Sequence, residues 1–166
     1  NVKAPKTIGH GKVLPPGTHQ KNTVLIYLQH MAEKVAARMG CFHYQAECFF
    51  IGLKTERGWL KTKAHAGIYT DDGHVIYQLC KAFVDFYWAG QGVWQVQVTA
   101  LSPQQGKQLD LFEQPDLQRE HINQTVDKVN YRYGELPLAP ARLLQKSTMP
   151  NVIAPAWKPK GHRKTI

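Results

Sequence analysis

The hydrophobic pattern of roughly the first hundred residues switches repeatedly between a strand-like and a helix-like period, and this succession constrains the fold more than any other feature. The segments follow one another as strand, helix, strand, strand, helix and strand, at residues 6–14, about 20–39, 44–53, 59–66, about 70–90 and 93–101. We therefore predict an α+β fold with β-α-β-β-α-β order. In this split βαβ arrangement, two helices cover one face of a four-stranded antiparallel sheet.

Local residues mark where these elements begin and end. The Pro-Pro-Gly run at 15–17 is expected to end the first strand, and Gly40 lies where the C-terminal cap of the first helix belongs. The polar segment 54–58 ends in glycine and is typical of a hairpin connection. Asp71 and Asp72 precede the second helix, so their position favours capping of its N-terminus.

The uncovered face of the predicted sheet is expected to carry cations and neutral hydrogen-bond formers. Its predicted members are Lys61, Lys63, His65, Gln95, Gln97 and Thr99. A merely solvated face explains this alternation equally well. The chain has 21 Lys and Arg against 12 Asp and Glu, a net charge of +9, and such an excess favours a polyanionic partner. Together with the lack of acidic residues on the face, the charge favours nucleic acid.

Metal, disulfide and membrane chemistry find little support in the sequence. The three cysteines form no CxxC pair, and the spacing of Cys41, His43 and Cys48 matches no common zinc site. No apolar stretch approaches the roughly 20 residues of a membrane span. We expect a soluble, cytoplasmic protein with no membrane partner. The chain begins at Asn1 without an initiator Met, which suggests a fragment of a longer protein.

An isolated apolar pentapeptide, Gln108-Leu-Asp-Leu-Phe112, follows the last predicted strand within a polar linker. Such a motif outside a core is a candidate ligand for a groove on another protein. The alternative is a small cluster that folds back on its own domain. A helical stripe then predicts one short helix within 116–134, and the proline-rich, basic residues 135–166 are expected to be irregular.

Two of these features together resemble one protein family. The run Lys6-Thr-Ile-Gly-His-Gly-Lys12 resembles the opening strand of the little finger domain of Y-family DNA polymerases, the group that includes bacterial polymerase IV and the catalytic subunit of polymerase V. The pentapeptide is similar to the bacterial sliding-clamp motif that follows this domain. The resemblance divides the chain into a little finger domain at 1–103, a clamp-binding linker at 104–115, a short helix at 116–134 and a tail at 135–166.

The resemblance implies that the domain straddles template–primer DNA and contacts phosphates chiefly through its sheet. The implied DNA contacts are Lys6, Thr7, Gly9, His10 and Lys12 on the first strand, and Lys61, Lys63 and His65 on the third. The implied clamp contacts are Gln108, Leu109, Asp110, Leu111 and Phe112, of which Asp110 occupies the tolerant middle position. The parent protein would act in translesion synthesis, DNA repair and the SOS response.

Catalysis in this family requires palm-domain carboxylates that bind Mg²⁺, and no such residues are identified here. Asp71 and Asp72 are the only adjacent acidic pair, and capping is their favoured role. The chain is therefore expected to be inactive alone, to contain no catalytic residue, metal site or cofactor, and to work beside the palm, finger and thumb domains of a parent DNA polymerase.

Two alternative functions belong to other classes. The first is a stand-alone RNA-binding or adaptor module with a ferredoxin-like topology, which is disfavoured because we expect no aromatic side chains on the sheet face of the central strands and find no RNP-like run. The second is a small metabolic enzyme, which leaves the high charge unexplained and lacks a convergent catalytic signature.

Overall fold

The computed structural model describes residues 4–105, 117–133 and 140–141. Its elements, in chain order, are β1 (Thr7–Thr18), α1 (Lys21–Cys41), β2 (Tyr44–Thr55), β3 (Gly58–Thr70), α2 (Gly73–Tyr87), β4 (Val93–Leu101), β5 (Gln104–Gln105) and α3 (Leu117–Tyr133). The β-α-β-β-α-β order, the α+β class and the helix that follows the sheet domain are thus confirmed. The expected irregular tail at 135–166 lies almost entirely outside the described residues.

The four long strands form one antiparallel sheet in the order β1-β4-β2-β3. The two strands joined by α1, β1 and β2, lie on either side of β4. Likewise the two strands joined by α2, β3 and β4, lie on either side of β2. This interleaving is the predicted split βαβ arrangement. The two-residue strand β5 was not predicted; it pairs with the beginning of β2 through Tyr44 and Gln105.

The hydrophobic core lies between the sheet and the helices on one of its faces. The apolar stripe of α1 is fully buried at Val24, Leu28, Met31, Val35 and Met39. The second helix contributes its own buried stripe, and alternate residues of the strands complete the core: Ile76, Cys80, Phe83, Ile8, Phe49, Ile51, Leu53, Val96, Val98 and Ala100. Among the described elements, no helix packs on the opposite face of the sheet, since α1 and α2 both lie on the core side.

The prediction that Pro-Pro-Gly at 15–17 ends the first strand is wrong, since β1 continues to Thr18. A register shift against β4 between Val13 and Thr18 absorbs these residues. The strand is at the edge of the sheet, where a proline without an N–H group removes no ladder hydrogen bond on the outer side. Gly17 adopts a positive φ of 68°, and the Thr18 hydroxyl donates to the Pro15 carbonyl at 2.8 Å.

The predicted hairpin is confirmed, but its turn is shorter than the sequence suggested. The strand β2 continues to Thr55, and β3 begins at Gly58. The Thr55 hydroxyl donates to the Gly58 carbonyl at 2.8 Å and accepts from the Arg57 N–H at 3.2 Å. Gly58 has a φ of 110°, which explains the glycine at this position.

Candidate nucleic-acid interface

The register of the sheet places alternate residues of the four strands in four rows across the uncovered face. From β1 to β3 the rows are Thr7–Leu101–Cys48–His65, Gly9–Thr99–Phe50–Lys63, Gly11–Gln97–Gly52–Lys61 and Val13–Gln95–Lys54–Trp59. We call these residues the open face. None of them is Asp or Glu, so within these four rows no carboxylate offsets the positive charge.

The cations of the open face concentrate on the hairpin formed by β2 and β3. Lys61, Lys63 and His65 are exposed on the edge strand β3, as the alternation predicted, and Lys54 is exposed on β2. The Cys48 Sγ lies 3.8 Å from the His65 Nε2. Side chains on alternate residues of one strand are about 7 Å apart, a spacing similar to that of successive phosphates on a nucleic-acid strand. The geometry suits phosphate contacts, and the contacts themselves stay a prediction.

The predicted contact residues of the first strand do not all share the open face. Thr7 and Gly9 lie on it, whereas His10 and Lys12 pair with the core-facing Val98 and Val96 of β4 and so lie on the helix side. Lys6 precedes β1 and is exposed, and its carbonyl accepts from the Ser102 N–H at 3.0 Å.

His10 in particular lies in the core, with only 3% of its surface exposed. Burial, reinforced by the charges of Arg38, Lys34 and His30, lowers the pKa of His10 to about 3. The ring is therefore neutral at physiological pH. A side-chain contact between His10 and DNA does not fit this position, because the ring faces the helices and not the solvent.

Around His10 the structure collects a group of basic side chains that the sequence analysis did not identify. His30, Lys34 and Arg38 follow one another at four-residue spacing on α1, and Lys34 and Arg38 are about 5% and 6% exposed. Burial, followed by the charges of Lys34 and Lys12, lowers the pKa of His30 to about 4. The four-residue spacing was the available signal, since it places all three residues on one side of a helix.

Gly9 has a packing role that accounts for its presence on β1. A methyl group at this position would overlap the side chain of Thr99, with Thr99 Cβ and Cγ2 at 3.0 Å from the added carbon. As an edge strand, β1 also directs alternate backbone N–H groups outwards, where they are accessible to a phosphate.

The expectation that the central strands carry no aromatic side chain on the sheet face is wrong. Phe50 lies on the open face of the central strand β2, between Lys63 and Thr99 in the register. A Cβ added to Gly52 would lie 3.0 Å from Phe50 Cε1 and 3.2 Å from Trp59 Cζ3. Both rings therefore converge over Gly52, which is buried although it lies on the open face. Hydrophobic pattern did not indicate this position, because Phe49 and Phe50 are adjacent and equally apolar, so alternation does not say which ring faces the helices.

Metal-binding and membrane-spanning features are absent from the part of the chain that the structure describes. No group of three or more His, Cys, Asp or Glu side chains there could hold a metal ion. None of the helices in the described ranges is long and apolar enough to cross a bilayer. The predicted clamp contacts Gln108, Leu109, Asp110, Leu111 and Phe112 lie outside the described residues.

Comparison with known families decides the relationship of the chain. The family model described as the impB/mucB/samB family C-terminal domain matches residues 5–111, from the residue before Lys6 to the fourth residue of the pentapeptide. The chain belongs to this family. It is a little finger domain of the Y-family polymerases, as the sequence resemblance indicated. A comparison with curated protein sequences finds no match.

Solved structures resemble the domain at low sequence identity. One is described as the complex of the beta-clamp processivity factor and the little finger domain of PolIV; it is 14% identical, with a TM-score of 0.50, over 64% of this chain and 99% of that chain. Another is the insertion ternary complex of Dbh DNA polymerase, 13% identical with a TM-score of 0.48, over 60% of this chain and 29% of that chain. This little finger domain thus spans less than a third of the Dbh polymerase chain.

Proposed function

We propose that this little finger domain holds a Y-family DNA polymerase on template–primer DNA and tethers it to the bacterial sliding clamp. The observation that carries the first part is the open face, where exposed Lys54, Lys61, Lys63 and His65 lie among neutral side chains with no carboxylate. Such a surface contacts phosphates irrespective of base sequence. This suits translesion synthesis, because a grip on the backbone does not require a correct base pair.

The second part of the proposal rests on the pentapeptide at 108–112 and on the family. The related structure from PolIV is itself a complex of a little finger domain with a clamp. Leu109, Leu111 and Phe112 are proposed to enter an apolar groove on the clamp, with Gln108 as the polar contact. Tethering raises the effective concentration of the polymerase at the primer end without requiring any new contact there.

Catalysis is assigned to other domains of the parent protein. We propose that a palm domain supplies the Mg²⁺-binding carboxylates, that finger and thumb domains complete the polymerase, and that this chain needs no cofactor. DNA repair and the SOS response in the bacterial cytoplasm are the corresponding setting.

A single-strand-binding or adaptor module is the second candidate, and the position of Phe50 favours it more than the sequence suggested. Aromatic side chains on a central strand are typical of sheets that stack unpaired bases. The two candidates differ in their preferred nucleic acid. We expect tighter binding to a primer–template duplex than to single-stranded RNA of equal length, weakening steeply as salt rises. Tighter RNA binding, or binding that does not respond to salt, would favour the second candidate.

The clamp assignment is tested separately on the same chain. Leu111→Ala combined with Phe112→Ala removes two apolar anchors and is expected to abolish binding to a bacterial sliding clamp, measured by surface plasmon resonance. Asp110→Ala is the matched control, because the middle position of the motif is tolerant, and should bind as the unaltered chain does. Unchanged affinity in the double variant would remove the clamp assignment.

A further inference from the structure

Phe50, Gly52 and Trp59 lie together on the open face, and we call them the aromatic floor. The proposed phosphate contacts of the open face, which we call the phosphate grip, involve its cations and not these three residues. The edges of both rings lie within 3.3 Å of the point where a Cβ on Gly52 would stand. The missing side chain lets the rings close over the backbone of β2. Trp59 nevertheless keeps 43% of its surface exposed, so part of its side chain remains accessible to a ligand.

Exposed cations surround this floor on the same hairpin. Lys61 is paired with Gly52, Lys63 is paired with Phe50, and Lys54 is paired with Trp59. Each of the three residues of the floor therefore has a lysine directly opposite it in the register. An exposed ring beside lysines that can bind phosphates is the combination found where proteins bind single-stranded nucleic acid by base stacking.

We propose that the aromatic floor stacks an unpaired base of single-stranded DNA whose flanking phosphates contact Lys61 and Lys63. The occupant follows from charge: an apolar peptide would leave three neighbouring lysines without partners, whereas a DNA strand supplies a flat apolar surface and negative charge at alternating positions. The inference rests on the proposed DNA grip of the same face and adds a specific ligand to it, namely a base outside the duplex.

The test compares two single strands of equal charge. A 12-nucleotide oligothymidylate and a 12-unit abasic strand with the same number of phosphates are titrated with the full chain by fluorescence anisotropy. The unaltered chain should bind the base-containing strand about tenfold more tightly, within the range found for base stacking on aromatic side chains. Trp59→Leu and Phe50→Leu should each reduce this ratio towards one and leave the affinity for the abasic strand unchanged.

Two further variants separate stacking from folding. Trp59→Phe keeps a ring and should retain most of the preference. Phe86→Leu alters a ring that is 81% exposed on α2, in the helix layer behind the sheet, and should retain all of it. The ratio of the two affinities within one variant does not depend on the fraction of folded protein, so a destabilised variant still gives a decisive answer.

The outcomes distinguish the inference from the proposal on which it rests. Equal affinity of the unaltered chain for both strands, with steep salt dependence, would overturn the stacking site and leave the phosphate grip intact. A preference that survives in both Trp59→Leu and Phe50→Leu would overturn the aromatic floor as its origin. If the unaltered chain binds neither strand, or binds them with an affinity that does not fall as salt rises, the phosphate grip is overturned as well.

Discussion

Gly9 and Thr99 face each other across the edge of the sheet, and the absence of a side chain at Gly9 leaves room for the threonine. Gly9→Ala is predicted to destabilise the fold by about 1–3 kcal/mol, the usual cost of forcing an extra methyl group into a packed site. In a Thr99→Gly background the same substitution should cost less, because its obstacle is gone. Urea denaturation of the unaltered chain, the two single variants and the double variant measures the free energy of unfolding of each. An equal cost of Gly9→Ala in both backgrounds would contradict the packing role.

His10 makes the stability of the fold depend on pH. Its pKa is about 3 in the folded chain and 6.5 when unperturbed. Below pH 6.5 the unfolded chain therefore takes up a proton that the folded chain does not. Stability contributed by the neutral ring is present above pH 6.5 and is lost as the pH falls towards 3, at about 1.4 kcal/mol per pH unit.

His10→Leu should make this loss shallower, as measured by urea denaturation at pH 7, 6 and 5. Ile8→Val is the control, because it alters a fully buried residue of the same strand without changing a titratable group, and it should leave the pH dependence as it is. An equal pH dependence in His10→Leu and the unaltered chain would show that His10 is not the source. His30, whose pKa is lowered to about 4, acts in the same direction and leaves part of the dependence in place.

At the residue scale, the sequence predicted the exposed cations better than their neighbours. Lys61, Lys63 and His65 could be placed because polar and apolar residues alternate along β3. Phe50 and His10 could not be placed, because Phe49 and Phe50 are adjacent and equally apolar and because a histidine between two glycines carries no sign of burial. Which face such residues occupy depends on pairing with strands far away in sequence.

The elements themselves were largely predictable, although the cap predicted at Gly40 is wrong, because α1 continues through Gly40 to Cys41 and ends at Phe42. The prediction that an aspartate caps α2 is confirmed at Asp72, whose carboxylate accepts from the His74 N–H at 2.8 Å. The Asp72 N–H in turn donates to the Thr70 hydroxyl at 3.0 Å. The end of β1 was not predictable from the Pro-Pro-Gly run alone, because an edge position tolerates proline and a central one does not.

Removing the cap tests this element directly. Asp72→Ala deprives the first turn of α2 of its side-chain acceptor and is expected to lower the free energy of unfolding by about 1 kcal/mol. Asp72→Asn keeps an acceptor and should cost clearly less. Thermal and urea denaturation followed by circular dichroism measure both; an equal loss in the two variants would assign the effect to charge and not to capping.

For the whole molecule, the order of the strands could be anticipated only in part. The mostly apolar strand β2 is central and the lysine-bearing β3 is at the edge, an arrangement that agrees with the burial of β2 and the solvation of β3. The pairing of β4 with both β1 and β2 depends on contacts between distant segments, which sequence pattern does not encode. The net charge of +9 indicated a polyanionic partner, and the register shows where that charge is free of carboxylates.

We expect the open face, and not the charge of the molecule in general, to bind DNA. The direct test is the slope of log K against log salt concentration for a primer–template duplex. Lys61→Gln with Lys63→Gln should reduce the magnitude of that slope by roughly 1.8, since each neutralised phosphate contributes about 0.9.

The matched control is Lys21→Gln with Lys81→Gln, which removes two exposed charges from the helices α1 and α2, one of them paired with Asp85. Its slope should equal that of the unaltered chain. If the open-face variant instead keeps the full slope, or if both double variants lose it equally, the open face is not the DNA-binding surface.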